Sequence, residues 1–484
     1  MIDPAHPQPD DSSHDAAQRT LAILRDATRH GPYENRLYLV GGILRDRALG
    51  LPPGNDLDLV LEGDAVALAQ FLYRRGVAQH YPVEYPRFGT AMLHVADPAD
   101  PDASGSAVEL VSARAESYHE DSRKPDVRPA TLHDDVLRRD FTINTLLENL
   151  HTGETLDLTG QAWNDLRAGI LRTPLEPRVT FFDDPLRMLR AIRFAARFDF
   201  EIEPGTWRAV CEEAERLRPP QIAHERIREE FVKIVKLPGR RLRHGLELLL
   251  ASNLLAQFLP QMFPMIGCTQ GNWHRYDVWT HTLVALEYLP DAANLETRLG
   301  LLWHDVGKPV TRTVTDDEKG IRFYGHPAKG AALAREMMNH LKFANDEIRD
   351  VTALVDKHMR LGEYRPDWTD ASVKRLIRDS GPYLDVLFTI TRCDMAAVDI
   401  PPDRALDMEA LRARIDALNA VSNVVELDSP LDGNEIMQTL GTPPGPYLRE
   451  AKDFLLNEVI EGRLAENDKE RARELLRRWW RGRS

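Results

Sequence analysis

The stretch GNDLDLVLEGD, residues 54–64, places Asp56 and Asp58 two apart in a run that is otherwise Leu57, Leu59, Val60 and Leu61. Branched apolar residues in such density read as a β-strand. Along a strand, residues i and i+2 share a face, so the two acids converge while Leu57 and Leu59 point the other way. Converging carboxylates need a neutralising partner. Upstream, LYLVGGILRDRALG runs a strand into Gly41-Gly42 and then a helix carrying Arg45 and Asp46. Adjacent glycines before a helix let backbone amides approach an anion, and the helix start adds positive potential, so phosphate is the expected guest. Two carboxylates facing that corner suit a pair of divalent cations roughly 3.5 to 4 Å apart, one activating an attacking hydroxyl and one stabilising the leaving oxygen. A lone GG is more often a turn and a lone DxD more often a solvated strand edge. Their order and spacing, with Arg45 and Asp46 between them, point instead to nucleotidyl transfer.

The chain has 484 residues, enough for three or four domains at roughly 100 to 200 residues each. Strand-like runs (RLYLVGG, DLDLVLEG, TAMLHVA, SAVELVSA) and one helical stretch (AVALAQFLYRRG) are confined to residues 20 to 160. Helical periodicity dominates beyond about 165. The expected fold class is α+β: a small mixed sheet with helices, then an all-helical body. The expected divisions are a disordered tail over 1–19, a head over 20–163, a helical neck over 164–260, a His- and Asp-rich domain over 261–405 and a helical tail over 406–484. The polar opening MIDPAHPQPDDSSHD has neither the basic nor the apolar region of a signal peptide, and no apolar run approaches a membrane span. The expected location is cytoplasmic. Cys211, Cys268 and Cys393 form no CxxC pair, so neither a disulfide framework nor a thiolate zinc site is indicated. A net charge of -14 argues against indiscriminate nucleic-acid binding, which leaves local basic surfaces as the place for a polyanion.

The strand-GG-helix-DxD arrangement resembles the first motif of class II tRNA nucleotidyltransferases and bacterial poly(A) polymerases, within the polymerase-beta-like superfamily, which implies that Gly41, Gly42 and Arg45 cradle the triphosphate, with Asp46 beside them at the nucleotide, while Asp56 and Asp58 bind the metals. LRRDFTINTLLENL, residues 137–150, resembles the family's second motif, which implies that Arg139 and Asp140 contact the nucleotide sugar. Thr145 stands where the family commonly has Ala. FFDDPLRMLRAIRFAARF, residues 181–198, resembles the base-selecting motif, usually Glu-Asp where this chain has Asp183-Asp184. Asp184 and Arg187, three apart, are expected on one helical face. A carboxylate accepts from the exocyclic amine shared by cytosine and adenine, and a guanidinium donates to the ring atom beside it; guanine and uracil present the reverse pattern. The resemblance also implies a third metal-facing acid, for which Glu109 is the candidate. A solvent-facing strand position is the equal alternative for that residue. ARAESYHEDSRKPDVRPATLHDD resembles the flexible loop that helps switch from CTP to ATP, which favours complete CCA addition over CC addition alone.

Arg187, Arg190, Arg193 and Arg197 recur at helical spacing, and Lys233, Lys236, Arg240 and Arg241 follow in a stretch without acids. Next to a nucleotide site such stripes are expected to guide an RNA backbone, with Arg187 and Arg190 nearest the nucleotide itself and Arg226 of IAHERIREEF joining the RNA contacts. Further on, His281, the adjacent His304-Asp305, His326, His358 and Asp394 supply imidazole and carboxylate on successive helices, a donor set for a divalent transition metal. The series resembles HD-superfamily phosphohydrolases. His281, His304, Asp305 and Asp394 match the minimal ligand set, and His326 and His358 the additional positions of two-metal members. Phosphatase or cyclic phosphodiesterase action on RNA ends is the implied activity of that domain.

Residues 431–476 resemble the C-terminal tRNA-binding region of HD-bearing CCA-adding enzymes, and Trp479 and Trp480 beyond them are expected to pack against the body. The resemblance as a whole implies addition of CCA to tRNA from CTP and ATP, with Mg2+ in the head. Partial CC or A addition, poly(A) synthesis, and an HD phosphohydrolase with an RNA-binding head stay open. The sequence is silent on oligomeric state.

Overall fold

The computed structural model describes residues 11–52, 57–96, 106–119, 122–218, 221–271, 274–314, 320–401, 406–421, 424 and 427–482. Asp56 lies outside the described residues. The chain forms two compact units, one of Met1–Ile234 with His244–Phe258 and one of Val235–Arg243 with Leu259–Ser484. Among the described residues no helix is long and apolar enough to cross a membrane.

The first unit is built on a mixed sheet. Its strands are β1 (Leu37–Val40), β2 (Leu57–Leu61), β3 (Val83–Tyr85), β4 (Thr90–Val95) and β5 (Ser106–Ser112), followed after a separate two-stranded ribbon, β6 (Arg114–His119) and β7 (Ser122–Pro129), by β8 (Leu147–Asn149) and β9 (Thr155–Leu156). Their spatial order is β3-β4-β5-β2-β1-β8-β9. β2 and β5 run parallel and the other pairs antiparallel. Strand alternation then divides the sheet. Leu57, Leu59, Leu61, Val108, Leu110, Ala91, Leu93 and Val95 are buried on the side met by helices α1 (Asp11–Thr28) and α3 (Ala65–Arg74), with α2 (Gly42–Ala48) between β1 and β2. Asp64, the last acid of the opening stretch, caps α3 by accepting from the amides of Val66 and Ala67. The other side is covered only in part. Helix α4 (Leu132–Leu137) lays Leu132 and Val136 on Tyr38, Val40, Val60 and Leu147, while the part over β5, β4 and β3 carries exposed residues.

Two expectations need correction. Residues 11–19, assigned to a disordered tail, begin a helix, because Ala17, Thr20, Leu21 and Leu24 recur at helical spacing and are all buried; the residues before Asp11 lie outside the described ones. The remainder is not purely helical either. Ile170–Leu171 pairs with Glu201–Ile202, and Arg312–Val314 with Ile321–Phe323, segments too short to leave an alternating signature.

The neck helices are α5 (Ala162–Ala168), α6 (Pro177–Asp183), α7 (Leu186–Phe198), α8 (Pro204–Glu212) and α9 (His224–Val235). Pro177 and Pro204 start helices, where the missing N–H costs nothing, and Glu176 and Glu203 cap them. In the second unit, helices Val278–Glu287, Leu295–Trp303, His326–His340, Asn345–Lys357 and Leu384–Ala396 pack together. A further cluster, Ile436, Ala451, Leu455, Ala472 and Leu476, unites the last three helices. There Trp479 stacks on Phe454 at 5.4 Å and Trp480 meets Tyr447 at 5.0 Å, so both indoles pack against the body.

Candidate active site

In the head, register brings the acids together. Asp58 of β2 pairs with Glu109 of β5, and parallel partners project to the same face. Glu109 is exposed and Asp58 half-buried, at the boundary where the cover supplied by α4 ends. On the far side of β2, Gly41 adopts φ 83°, a conformation glycine reaches without strain. A Cβ there would stand 3.6 Å from Oδ2 of Asp58 and 4.0 Å from Nη1 of Arg139. Gly41, Asp58 and Arg139 therefore form one corner. Arg139 is anchored from behind by Asp135, Nη2 to Oδ2 at 2.9 Å, and the same buried carboxylate holds Arg138.

The surrounding arginines differ from expectation. Arg45, expected at the triphosphate, is turned inward: it is 5% exposed, donates to Asn144 and Asp46 at 2.7 Å each and lies against the rings of Phe194 and Phe198. Asp140, expected at the sugar, is buried and accepts from Asn144, from the Phe141 amide and from Arg190 at 2.8 Å. Burial alone would raise its pKa, but Arg190, the Asn144 amide and Arg187 outweigh it and hold the carboxyl well below the usual range. The stripe on α7 is likewise mostly engaged with acids of the protein, with Arg193 buried and Arg187, Arg190 and Arg197 half-buried. Arg190 is spent on Asp140; Arg193, expected on RNA, is buried and bonded to Glu230 at 2.6 Å; Arg197 lies 3.5 Å from Asp46. A guanidinium withdrawn even partly from water is stabilised by an acid, and the acids that pair these, Asp140, Glu230 and Asp46, stand far away in sequence. Lys233 also bonds Glu230. Lys236 and Arg240 are exposed and Arg241 is half-buried.

Asp184 and Arg187 do not share a helical face. Asp184, preceding Pro185, is extended at φ -146°, ψ 98° between α6 and α7, as the residue before proline must be. The two are nonetheless adjacent, the Arg187 amide donating to the Asp184 carbonyl at 3.0 Å. Arg226 holds the Asp184 carboxylate at 2.9 Å, and Arg187 donates to the Arg138 carbonyl at 2.7 Å. Asp183, last residue of α6, is half-buried beside them.

The second unit brings its six expected ligands to one place. Nε2 of His281 is 2.9 Å from Asp394 and 3.7 Å from Asp305; Nε2 of His304 is 3.0 Å from Asp305. On the other oxygen of Asp305 stand His326 at 3.4 Å and His358 at 3.8 Å. Two donor groups result, His281-His304-Asp305 and Asp305-His326-His358, sharing one carboxylate. His304, His326 and His358 each donate Nδ1–H to a backbone carbonyl, of Leu301, Phe323 and Val355, which leaves each Nε2 lone pair aimed at the centre. Nε2 of His281 and His304 and Oδ1 of Asp305 are buried without a hydrogen bond of acceptable geometry, although carboxylate oxygen stands within 4 Å of both imidazoles, and Oδ2 of Asp305 has Lys308 as its ion-pair partner. Buried polar atoms normally have partners, and lone pairs converging on a common point rather than on each other fit metal ions. Burial disfavours charge on His304, but Asp305 and Asp394 outweigh it and raise its pKa to about 10, so these carboxylates favour a positive charge at Nε2, where a proton and a metal ion compete for the same lone pair; burial and the neighbouring imidazoles push His358 to about 3. Gly307 makes the close packing feasible, since a Cβ would lie 2.2 Å from the His326 carbonyl oxygen. Lys308, which sequence reasoning passed over, bonds Asp305 at 2.7 Å and Gln270 at 2.6 Å. Asp135, Asn144 and Glu230 were also missed. Asn144, four residues after Asp140 in RRDFTIN, had the only local signal.

Residues 37–172 match the family described as Poly A polymerase head domain, 199–266 that described as a probable RNA and SrmB-binding site of polymerase A, and 274–387 the HD domain. The chain is 31% identical to the CC-adding tRNA nucleotidyltransferase of Thermus thermophilus over 92% of its length and 93% of the relative's. It is 33% identical to the A-adding tRNA nucleotidyltransferase of Deinococcus radiodurans, covering 72% of this chain and 80% of that one. It shares its fold with the Bacillus stearothermophilus CCA-adding enzyme solved in complex with CTP, at a TM-score of 0.65 and 22% identity over 96% of this chain and 98% of that one.

Proposed function

The chain belongs to the tRNA nucleotidyltransferase family, and from that premise we propose that it adds CCA to tRNA 3′ ends, taking CTP and ATP and releasing pyrophosphate. The observation that carries the chemistry is Asp58 standing in register with Glu109 beside the Gly41 corner. With Asp56, these carboxylates hold divalent cations, assigned as Mg2+. When bound, the cations polarise the attacking 3′ hydroxyl and neutralise charge on the leaving pyrophosphate. Gly41 keeps the corner open for the triphosphate, and Arg139, steadied by Asp135, offers it positive charge. Asp184 and Arg187 present an acceptor and a donor matched to cytosine and adenine, and Arg226 and the Arg138 carbonyl preset their orientation. Arg45, Arg190 and Arg193 act as internal struts that fix α7 against the motif residues. Ribbon β6–β7 occupies the segment resembling the CTP-to-ATP switching loop, which supports use of both nucleotides.

A second activity is supported by the two buried donor groups that share Asp305: a transition-metal phosphohydrolase centre acting on RNA ends, in which Lys308 steadies the shared carboxylate. One assay separates the readings. The protein is incubated with tRNA lacking CCA, CA or only A and with labelled CTP and ATP, singly and together, and the products are sequenced. Completion of all three substrates is expected. Arrest after CC, or extension of the CC-ended substrate alone, would identify a partial enzyme; phosphate release without lengthening would leave the hydrolase alone.

A further inference from the structure

On the uncovered side of the head sheet, the catalytic row continues past Glu109. Asp58 pairs with Glu109, Glu109 with Met92 and Met92 with Val83, so all four project to one face across β2, β5, β4 and β3. Tyr85, two residues beyond Val83, shares that face. Val83 and Tyr85 are each 48% exposed and Met92 is 38% exposed. An apolar and aromatic shelf thus abuts the acidic pair, and exposed Arg87 lies just past Tyr85.

We propose that this shelf of Val83, Tyr85 and Met92 receives the terminal bases of the RNA being extended. The proposal rests on nucleotidyl transfer by Asp58 and Glu109. In-line displacement sets the attacking and leaving oxygens on opposite sides of the reacting phosphorus. The leaving side is the Gly41 corner, which borders β2 from β1, and the attacking 3′ hydroxyl accordingly comes from the β5 side. Neighbouring strands lie about 4.8 Å apart, so Met92 stands about 10 Å from Asp58 and Val83 about 14 Å, the span of the last one or two nucleotides behind that hydroxyl. Tyr and Met offer flat or soft apolar surface for any base, as an enzyme lengthening its own substrate requires, since the base resting there changes at each addition. Arg87 supplies positive charge for the backbone.

The test compares Tyr85→Ala/Met92→Ala, and Tyr85→Phe as the conservative variant, with the full-length wild type. KM for tRNA lacking CCA and KM for CTP are measured together with quenching of 2-aminopurine placed at the RNA 3′ end. The double variant is expected to raise KM for RNA about tenfold and to lose the quenching with KM for CTP unchanged, whereas Tyr85→Phe retains both. An unchanged KM for RNA with quenching intact overturns the shelf. So does a wild-type dimer that the double variant converts to monomer without change in RNA affinity, because the surface then serves self-association. If the wild type lengthens no RNA, the functional premise fails, and the quenching measurement still decides whether RNA ends rest here.

Discussion

Asp140 shows how one carboxylate is kept charged inside the protein. Arg190, Asn144 and Arg187 hold its pKa far below the ordinary value of about 3.9. A depressed folded-state pKa contributes stability that is complete above about pH 4 and lost as pH falls from there toward the folded value. Asp140→Asn is therefore expected to cost about 3 kcal/mol at pH 7, with the deficit shrinking below about pH 4; urea unfolding at pH 7 and pH 3 checks both statements. At this scale the sequence was legible where two functions met in one short motif. Asp58 and Gly41 were singled out by order and spacing, whereas Glu109 came from the resemblance alone until β-strand register set it beside Asp58. It was illegible for Arg45 and Arg193. A guanidinium's fate depends on whether an acid faces it in space, and Asn144, Asp46 and Glu230 face these two from other elements.

Among the elements, α7 departs most from its appearance in sequence. Four arginines without an intervening acid suggest a solvated stripe for RNA, yet three meet Asp140, Glu230 and Asp46. Removing one partner of a buried pair strands the other's charge, so Glu230→Gln is expected to cost about 3 kcal/mol, while Arg193→Met with Glu230→Leu costs much less. Chemical denaturation of the three proteins measures this. RNA binding gives the complementary outcome: Lys236→Ala with Arg240→Ala should lower the salt slope of tRNA affinity by about 2, one per phosphate contact, and Arg193→Met should leave the slope unchanged. Helix α1 was missed for a different reason. Its buried stripe, Ala17, Thr20, Leu21 and Leu24, follows a run of polar residues whose composition masks the period. The strands β1, β2, β4 and β5 were all legible, β1 as a short apolar run buried throughout and the others by at least partial alternation, each bounded by glycine or a polar turn.

Across the whole molecule, the chain carries two separate acid-lined centres in two compact units. Register of a sheet builds one; helix ends that donate imidazoles from several directions build the other. His304 and Asp305 stood out because HDVGK is a specific local string, the other four candidates came from the resemblance to the HD superfamily, and their division into two groups around a shared Asp305 needed three dimensions. Manganese or zinc should raise the melting temperature of the wild type by binding the folded state, by an amount equivalent to about 2.7 kcal/mol at a hundredfold excess over Kd. Asp305→Asn, which weakens both groups at once, should respond little; metal analysis after dialysis gives an independent count.

The central claim is that Asp58 holds a cation at the point of nucleotide transfer, and metal rescue of Asp58→Cys tests it most directly. With Mg2+, incorporation of labelled CTP into tRNA lacking CCA should fall by more than about a hundredfold, beyond the loss typical of an outer-shell partner, with the melting curve little changed. Cd2+ or Mn2+, which accept thiolate more readily, should restore at least a tenth of the wild-type rate. Wild-type incorporation by Asp58→Cys in Mg2+ would contradict the claim, because the carboxylate would then hold no cation that the reaction needs.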